Sequence, residues 1–588
     1  MVRHHRIRSI VVAVAALPAL AAPAAGIASP RPAAAGTGAP TAVAPLPGPG
    51  DRLPLGSDNL VTTVGAVQTP APGVTYRKYT HGKAASAWTV AMYFDSDNPN
   101  DKVVFTRCRS SAVSLRDRVA GHGYDASVIT FTPPPPADLP YRELNPNCRD
   151  VPDATHLYGV RSGKFPERAG AAGHLRQLEG SGLKGVVEHE AFREQNSTGP
   201  WEIRVLAVEP TAAVTIGGAH GPELRSADTV RDIARHAGAL AAVNGSDFDI
   251  RNNPEANNNP DFNGFDGDPI GIYVQDNNLL SEAVNGRTAL LLNGANGRQR
   301  ITELTTSTTV QAPDGEKWQI DGVHRKPGRV ASCGGVGGDL RPPSKPGGVP
   351  GDLPGADKPW RFEACTDPDE IVTFRPEWGP ATPAPDDGVD SVDVVVDGNW
   401  VAKQLRSPAG GPIPAGSRVL QGIGAGAQWL RDHTVLDKAF QPSTQILDAQ
   451  GQRVTSSTFA AISGGPALVR GGEVWINVGA NGYRARDGYH TSVFVDRHPR
   501  TMVGITATGQ LLLVVIDGRR PGVSVGVTMP EAAKVMKWLG AVDAMMLGMG
   551  GDSTLTINNI LYNRPTDNWE TDLITERRVG NAIVLRRK

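Results

Sequence analysis

Net charge is almost absent from this sequence. The 59 Lys and Arg against 60 Asp and Glu leave −1, which removes the global attraction that nucleic acid or an anionic membrane would need. Cysteine is scarce as well: Cys108, Cys148, Cys333 and Cys365 have no C-x-x-C spacing, and a zinc site is therefore not expected. Long apolar runs are confined to the N-terminus, and no later segment approaches the ~20 apolar residues a bilayer span requires. No three-residue glycine period occurs, so the 68 Gly and 48 Pro point to a turn-rich, mostly β architecture with linkers and exclude a collagen-like rod.

What is present begins with the layout of a secretory signal. Arg3, His4, His5, Arg6 and Arg8 precede an apolar stretch over 10–25 that is broken by Pro18 and Pro23. Small residues follow, with Gly26 and Ala28 placed for cleavage after Ala28. Residues 1–28 thus read as a signal peptide, leaving no membrane anchor once removed. The Ala/Pro/Gly-rich stretch 29–75 reads as a flexible tether. In an oxidising compartment four cysteines allow three pairings. Each close pair falls in one segment, which favours Cys108–Cys148 and Cys333–Cys365.

The predicted fold class is α+β. Between 76 and 195 a unit of strand, helix and strand occurs twice, giving a small β-α-β-β-α-β domain with helices on a four-stranded sheet. The strand and turn from Tyr158 to Phe165, with the helix after them, resemble the sporulation-related repeat domain. That resemblance implies a sheet that binds peptidoglycan; a small α/β domain without a ligand is the other reading of the same pattern.

The larger, mixed and β-rich part spans 200–588. Its informative features are two glycine-bearing loops after buried strands. Leu240-Ala241-Ala242-Val243 opens into Asn244-Gly245-Ser246-Asp247-Phe248, and Asp543 to Leu547 runs into Gly548-Met549-Gly550-Gly551-Asp552-Ser553. Glycines there let a ligand approach main-chain N–H groups, which can hold an anion. Between the loops, Thr501–Thr506 and Gln510–Asp517 form a predicted hairpin, and Thr528-Met529-Pro530-Glu531 a helix-opening capping box.

These stretches resemble the phosphodiester glycosidase family. The matching residues are Asn244-Gly245 with Phe248, Pro269-Ile270-Gly271, Gly422-Ile423-Gly424-Ala425-Gly426-Ala427 and Ile462-Ser463-Gly464-Gly465-Pro466. Arg500-Thr501, Asp517-Gly518-Arg519 with Ser524, Asn563-Arg564-Pro565 and Glu576-Arg577 continue the series in order. One departure stands out. The family's Asn-Leu-Asp-Gly-Gly-Gly-Ser-Ser-Thr is here Met546-Leu547-Gly548-Met549-Gly550-Gly551-Asp552-Ser553-Thr554, with Gly548 at the Asp position and a carboxylate four residues later. Asp552 reaches the same pocket if the loop folds back; otherwise the change marks altered or lost catalysis.

The resemblance implies a secreted hydrolase of sugar-1-phosphodiester linkages acting on a cell-wall glycan or sugar-phosphate polymer. A catalytically impaired glycan-binding protein is the alternative. Asp517 and Asp552 take the role of base or nucleophile, and Asn244 a hydrogen bond to sugar or phosphate. Arg500 and Arg519 are the expected phosphate contacts, with Ser524, Gly550, Gly551, Ser553, Glu576 and Arg577 completing the substrate site. A phosphate leaving group needs charge stabilisation more than a proton, so cations and N–H donors can stand in for an acid. No cofactor is required. The oxygen-rich stretch holding Asp261, Asn263, Asp266 and Asp268 offers ligands for a hard cation, calcium first, or is a metal-free Asn/Asp-rich turn. The Pro/Gly-rich region 312–390 reads as an insertion, either a lid or a docking loop.

Overall fold

The structure is a computed structural model. It describes residues 45–84, 87–95, 103–131, 148, 156–194, 197–248, 267–283, 286–292, 298–331, 364–454, 459–476, 478, 481, 496–567 and 574–588. The fold is α+β and strand-rich, as expected. Its centre is the strand Leu511–Ile516, LLLVVI, apolar at every position because both of its faces are buried. It pairs antiparallel with Arg500–Thr506 on one side and Trp201–Val208 on the other, inside a nine-stranded sheet. Leu511, Leu513 and Val515 face a core shared with Val243, Leu555 and Ile583. Leu512, Val514 and Ile516 face Val535 and Met536 of the helix Met529–Trp538. That helix opens with the predicted capping box, Thr528 and Glu531 each bonding the other's backbone N–H, a device worth about 1 kcal/mol.

A second, five-stranded sheet runs in the order Ile560–Leu561, Leu555–Ile557, Ala241–Asn244, Ala582–Arg587, Val214–Ala219. Val230, Ile233 and Ala234 of the helix Val230–His236 pack against its Ala242 and Val584. The strand Ala541–Met549 of the first sheet leads directly into Leu555–Ile557 of the second. The loop between them therefore lies where the two sheets meet.

Two sequence expectations change here. The tether predicted over 29–75 is, from 45 onward, folded where described: Thr62–Val64 and Gln68–Ala71 pair with Val74–His81, which itself pairs with Trp201–Val208 along eight residues. Thr62–Val64 and Gln68–Ala71 form the sheet's edge, and Leu53, Leu55 and Leu60 of this stretch are buried in the core against that sheet. The boundary at 76 accordingly falls inside a strand of the large sheet. The expected insertion, in its described part, is also built into sheets: Ile371–Phe374 lies between Gly322–Val323 and Arg418–Ile423. Cys333 is outside the described residues, and so is its predicted pairing with Cys365.

The small domain has the predicted topology. Its antiparallel sheet runs Ala126–Phe131, Leu157–Phe165, Trp88–Met92, Gly185–His189, with helices Arg109–Gly121 and Arg168–Gly180 packed through Ala112, Leu115, Val119 and Leu178 on Val90, Met92 and Val160. Cys108 and Cys148 form a disulfide, as expected. On the sheet face away from the helices, Phe131 and Leu157 join the core that contains Trp201 and Met502. Arg161 and Glu188, on the same face, form a buried ion pair at 2.9 Å. The surface that the sporulation-type resemblance assigns to glycan is thus used in large part for packing within the chain.

Candidate active site

Asn244 ends its strand at the junction of the two sheets, 1% exposed. Its Nδ2 donates to the Gly548 carbonyl at 2.8 Å, and its Oδ1 accepts from Thr501 Oγ1 at 2.6 Å and the Thr554 N–H at 3.2 Å. The Gly548 N–H in turn donates to the Gly245 carbonyl at 2.8 Å. These bonds lock the two glycine-bearing loops side by side. Asn244 holds the site's backbone, and its amide is engaged within the protein.

After Gly548 the chain turns through a short 3₁₀ segment, Gly550–Asp552. Gly550 has φ +72°, and a β-carbon there would press on the Arg519 guanidinium at 2.7 Å. At Gly551 a β-carbon would strike Asp567 and Arg577. The absence of side chains lets the turn fold back and carries the Asp552 carboxylate over Gly548. A β-carbon at 548 would sit 2.6 Å from Asp552 Oδ2, so the Asp552 carboxylate reaches the space a side chain at 548 would enter.

Asp552 Oδ1 accepts from Arg577 Nη1 at 2.9 Å, while Oδ2 accepts no hydrogen bond among the described residues. Arg577 is held from its other edge by Asp567, which accepts from Nε at 2.7 Å. Burial pushes the Asp552 carboxyl up to about 6; Arg577 opposes the shift, and the Asp247 and Asp567 charges add to it. Because the folded state holds this proton more tightly than the unfolded chain, the linked stability is complete below the ordinary value near 4 and is lost as pH rises through about 6. Two pK units correspond to on the order of 3 kcal/mol. The expected result is a wild-type Tm that declines between pH 4 and 7 more steeply than that of Asp552→Asn; parallel Tm curves would contradict the shift.

Asp247, on the loop that follows Asn244, is a second carboxylate near this centre. Its Oδ2 accepts from Arg287 Nη1, a guanidinium 2% exposed, at 2.8 Å. Asp247 stood in the Asn-Gly-Ser-Asp loop noted from sequence and was not assigned a role there. The signal was a carboxylate after a buried strand; the missing information was its Arg partner and its proximity to Asp552.

The other predicted residues divide by location. Ser553 is fully buried, and its hydroxyl has no hydrogen-bond partner among the described residues. Arg519 lies along the turn, with Nη1 3.3 Å from the Thr566 carbonyl. Asp517 lies behind the turn, 1% exposed: Oδ2 accepts from Arg204 Nη1 at 2.5 Å, and Oδ1 from Asn563 Nδ2 and the Arg564 N–H, both at 3.0 Å. Ser524 donates to the Asp517 carbonyl at 2.6 Å, and its Oγ accepts the Glu202 N–H. Arg500 is fully buried, with Nε donating to the Val527 carbonyl at 2.6 Å. Glu576 faces the helix Val230–His236 through Arg231, pointing away from its neighbour Arg577. The structure thus groups Asn244, Gly550, Gly551, Asp552, Ser553, Arg519 and Arg577 around one turn, and places Asp517, Ser524, Arg500 and Glu576 in its framework. Of the calcium candidates, Asp261, Asn263 and Asp266 lie outside the described residues, and among the described residues no three His, Cys, Asp or Glu side chains cluster as metal ligands.

Fold and site together define a strand-rich α+β protein with a buried carboxylate–guanidinium centre at the meeting of two sheets. Residues 390–586 match the family model for phosphodiester glycosidase. This range contains Asp552, Arg577, Arg519 and Asp517; Asn244 and Asp247 precede it. Among solved structures, a candidate exported protein of Burkholderia pseudomallei K96243 is 26% identical with a TM-score of 0.73, over 92% of this chain and 100% of that one. A hypothetical protein from Synechocystis is 15% identical, TM-score 0.47, over 90% and 81%. The catalytic domain of zebrafish N-acetylglucosamine-1-phosphodiester alpha-N-acetylglucosaminidase, auto-inhibited by its pro-peptide, is 13% identical, TM-score 0.31, over 68% and 80%. No curated protein matches the chain. Among the described residues no helix is long and apolar enough to cross a membrane.

Proposed function

We propose that the chain is an exported hydrolase that cleaves the glycosyl bond of a sugar-1-phosphodiester in a cell-wall or extracellular polymer, with Asp552 as its base. The observation that carries this reading is the position of Asp552 Oδ2 over Gly548, where the family pattern places its acid. With Oδ1 fixed by Arg577, Oδ2 is the oxygen that takes a proton from water as the water attacks the anomeric carbon. The bond from that carbon to the phosphate oxygen breaks, and the phosphomonoester leaves with the electron pair. It needs no proton, and the guanidiniums of Arg577 and Arg519 beside the turn supply the charge stabilisation. A base held near 6 is ionised at neutral pH, so kcat/KM rises with pH through about 6 and then levels. The signal-like N-terminus and the likeness to a candidate exported protein support the extracellular setting.

The reading is tested by moving the carboxylate. Gly548→Asp alone crowds two acids into one space and lowers turnover of a glycosyl phosphodiester; Gly548→Asp with Asp552→Ser returns the acid to the family's position and recovers activity. Reaction in labelled water puts the label on the released sugar. Label on the phosphate would instead indicate P–O cleavage. Binding of the polymer without turnover by the wild type would favour the glycan-binding alternative.

A further inference from the structure

The small domain is anchored to the larger one by a chain of buried contacts that ends at the Gly550–Asp552 turn. Arg193, just after the last strand of the small domain, donates from Nε to Asp496 Oδ1 at 2.6 Å and from Nη2 to Oδ2 at 3.2 Å. The same guanidinium pairs with Glu188, which also accepts from Arg161 at 2.9 Å. The side chains of Glu188 and Asp496 are 5% and 6% exposed, so this two-pronged pair is shielded from solvent and geometrically specific. The next residue continues the attachment. The Arg497 N–H donates to the Phe192 carbonyl at 2.9 Å, and its Nη1 donates to the carbonyls of Ala191 at 2.8 Å and Glu194 at 2.6 Å. Its remaining nitrogens clasp Glu531 of the capping box.

Two residues further on, the Pro499 carbonyl accepts the N–H of Gly550 at 2.9 Å. His498 is confined between: a β-carbon at Gly526 would come within 2.5 Å of its carbonyl, and its ring lies 3.4 Å from Arg519 Nη2. The segment 496–499 therefore has one end fixed by the small domain and the other bonded to the first residue of the turn that carries Asp552.

We propose that the small domain is part of the active-site scaffold, and that Arg193 is a positioning residue that sets the Gly550–Asp552 turn through Asp496 and the Pro499–Gly550 hydrogen bond. The proposal rests on the reading of that turn as catalytic. Misplacement of a reacting group by about 1 Å costs up to ~100-fold in rate, whereas the substrate-side cation Arg577 stays held by Asp567. Arg193→Ala is thus expected to lower kcat by about 10- to 100-fold with KM nearly unchanged.

The deciding experiment is hydrogen–deuterium exchange on the full chain, alongside kinetics on a glycosyl phosphodiester. In Arg193→Ala, exchange across 496–500 and 548–553 is expected to accelerate by roughly tenfold or more, while the central strand 511–516 stays protected. Arg193→Lys, which keeps the charge and loses the fork, falls between the two and serves if the alanine variant does not fold. Unchanged exchange at 548–553 in the variant would overturn the inference. A wild type that turns over no glycosyl phosphodiester would overturn the catalytic reading, and the exchange result would still decide whether the small domain holds the turn.

Discussion

Asp552→Asn is expected to abolish turnover of a glycosyl phosphodiester, by about 10³-fold or more, without weakening the fold at neutral pH. The amide keeps an oxygen for Arg577 Nη1 but cannot take a proton from water, and a positioned acid or base contributes typically 10²–10⁴ in rate. Stability moves in the other direction. Burial disfavours the ionised carboxylate that the wild type carries above pH 6, and the neutral amide removes that cost. The combination separates a catalytic from a structural role: lost activity together with an unchanged or raised Tm at pH 7. Activity within threefold of wild type would remove Asp552 from the mechanism and leave Asp247 as the remaining carboxylate to examine.

Asp517→Ala is expected to do the opposite, destabilising the protein by about 3–5 kcal/mol, the usual cost of removing one partner from a buried charge pair. Both Asp517 oxygens are occupied, and its loss leaves Arg204 buried beside Glu202 and the Asn563–Arg564 loop without its acceptor. Arg204→Ala should produce a similar loss, and the double variant less than the sum, because the two charges share one interaction. Urea unfolding of the four proteins measures this directly. A wild-type unfolding midpoint for Asp517→Ala coupled with abolished turnover would return Asp517 to the chemical step that sequence reasoning gave it.

The contrast between these two aspartates shows how far the primary structure could be read. Both follow buried strands and stand beside glycines, so their local signals are equivalent. Their difference lies in partners remote along the chain: Arg204 is 313 positions from Asp517, whereas Arg577 is 25 from Asp552. Arg500 misleads for the same reason. A cation at a strand start suggests an anion contact, yet its Nε is spent on the Val527 carbonyl.

Local physics alone determined much of the rest. Alternation located the small domain's first strand, and capping chemistry the Met529–Trp538 helix. The close cysteine spacing marked Cys108–Cys148, and the turn at Ala507-Thr508-Gly509 marked Thr501–Thr506 and Gln510–Asp517 as a hairpin. Only tertiary structure decided that Val74–His81 belongs to the large sheet, that the small domain's open face is covered, and that Asp552 folds back over Gly548. Each of those outcomes depends on close approach between segments far apart in sequence, where burial and partner geometry, rather than residue type or periodicity, set what a side chain does.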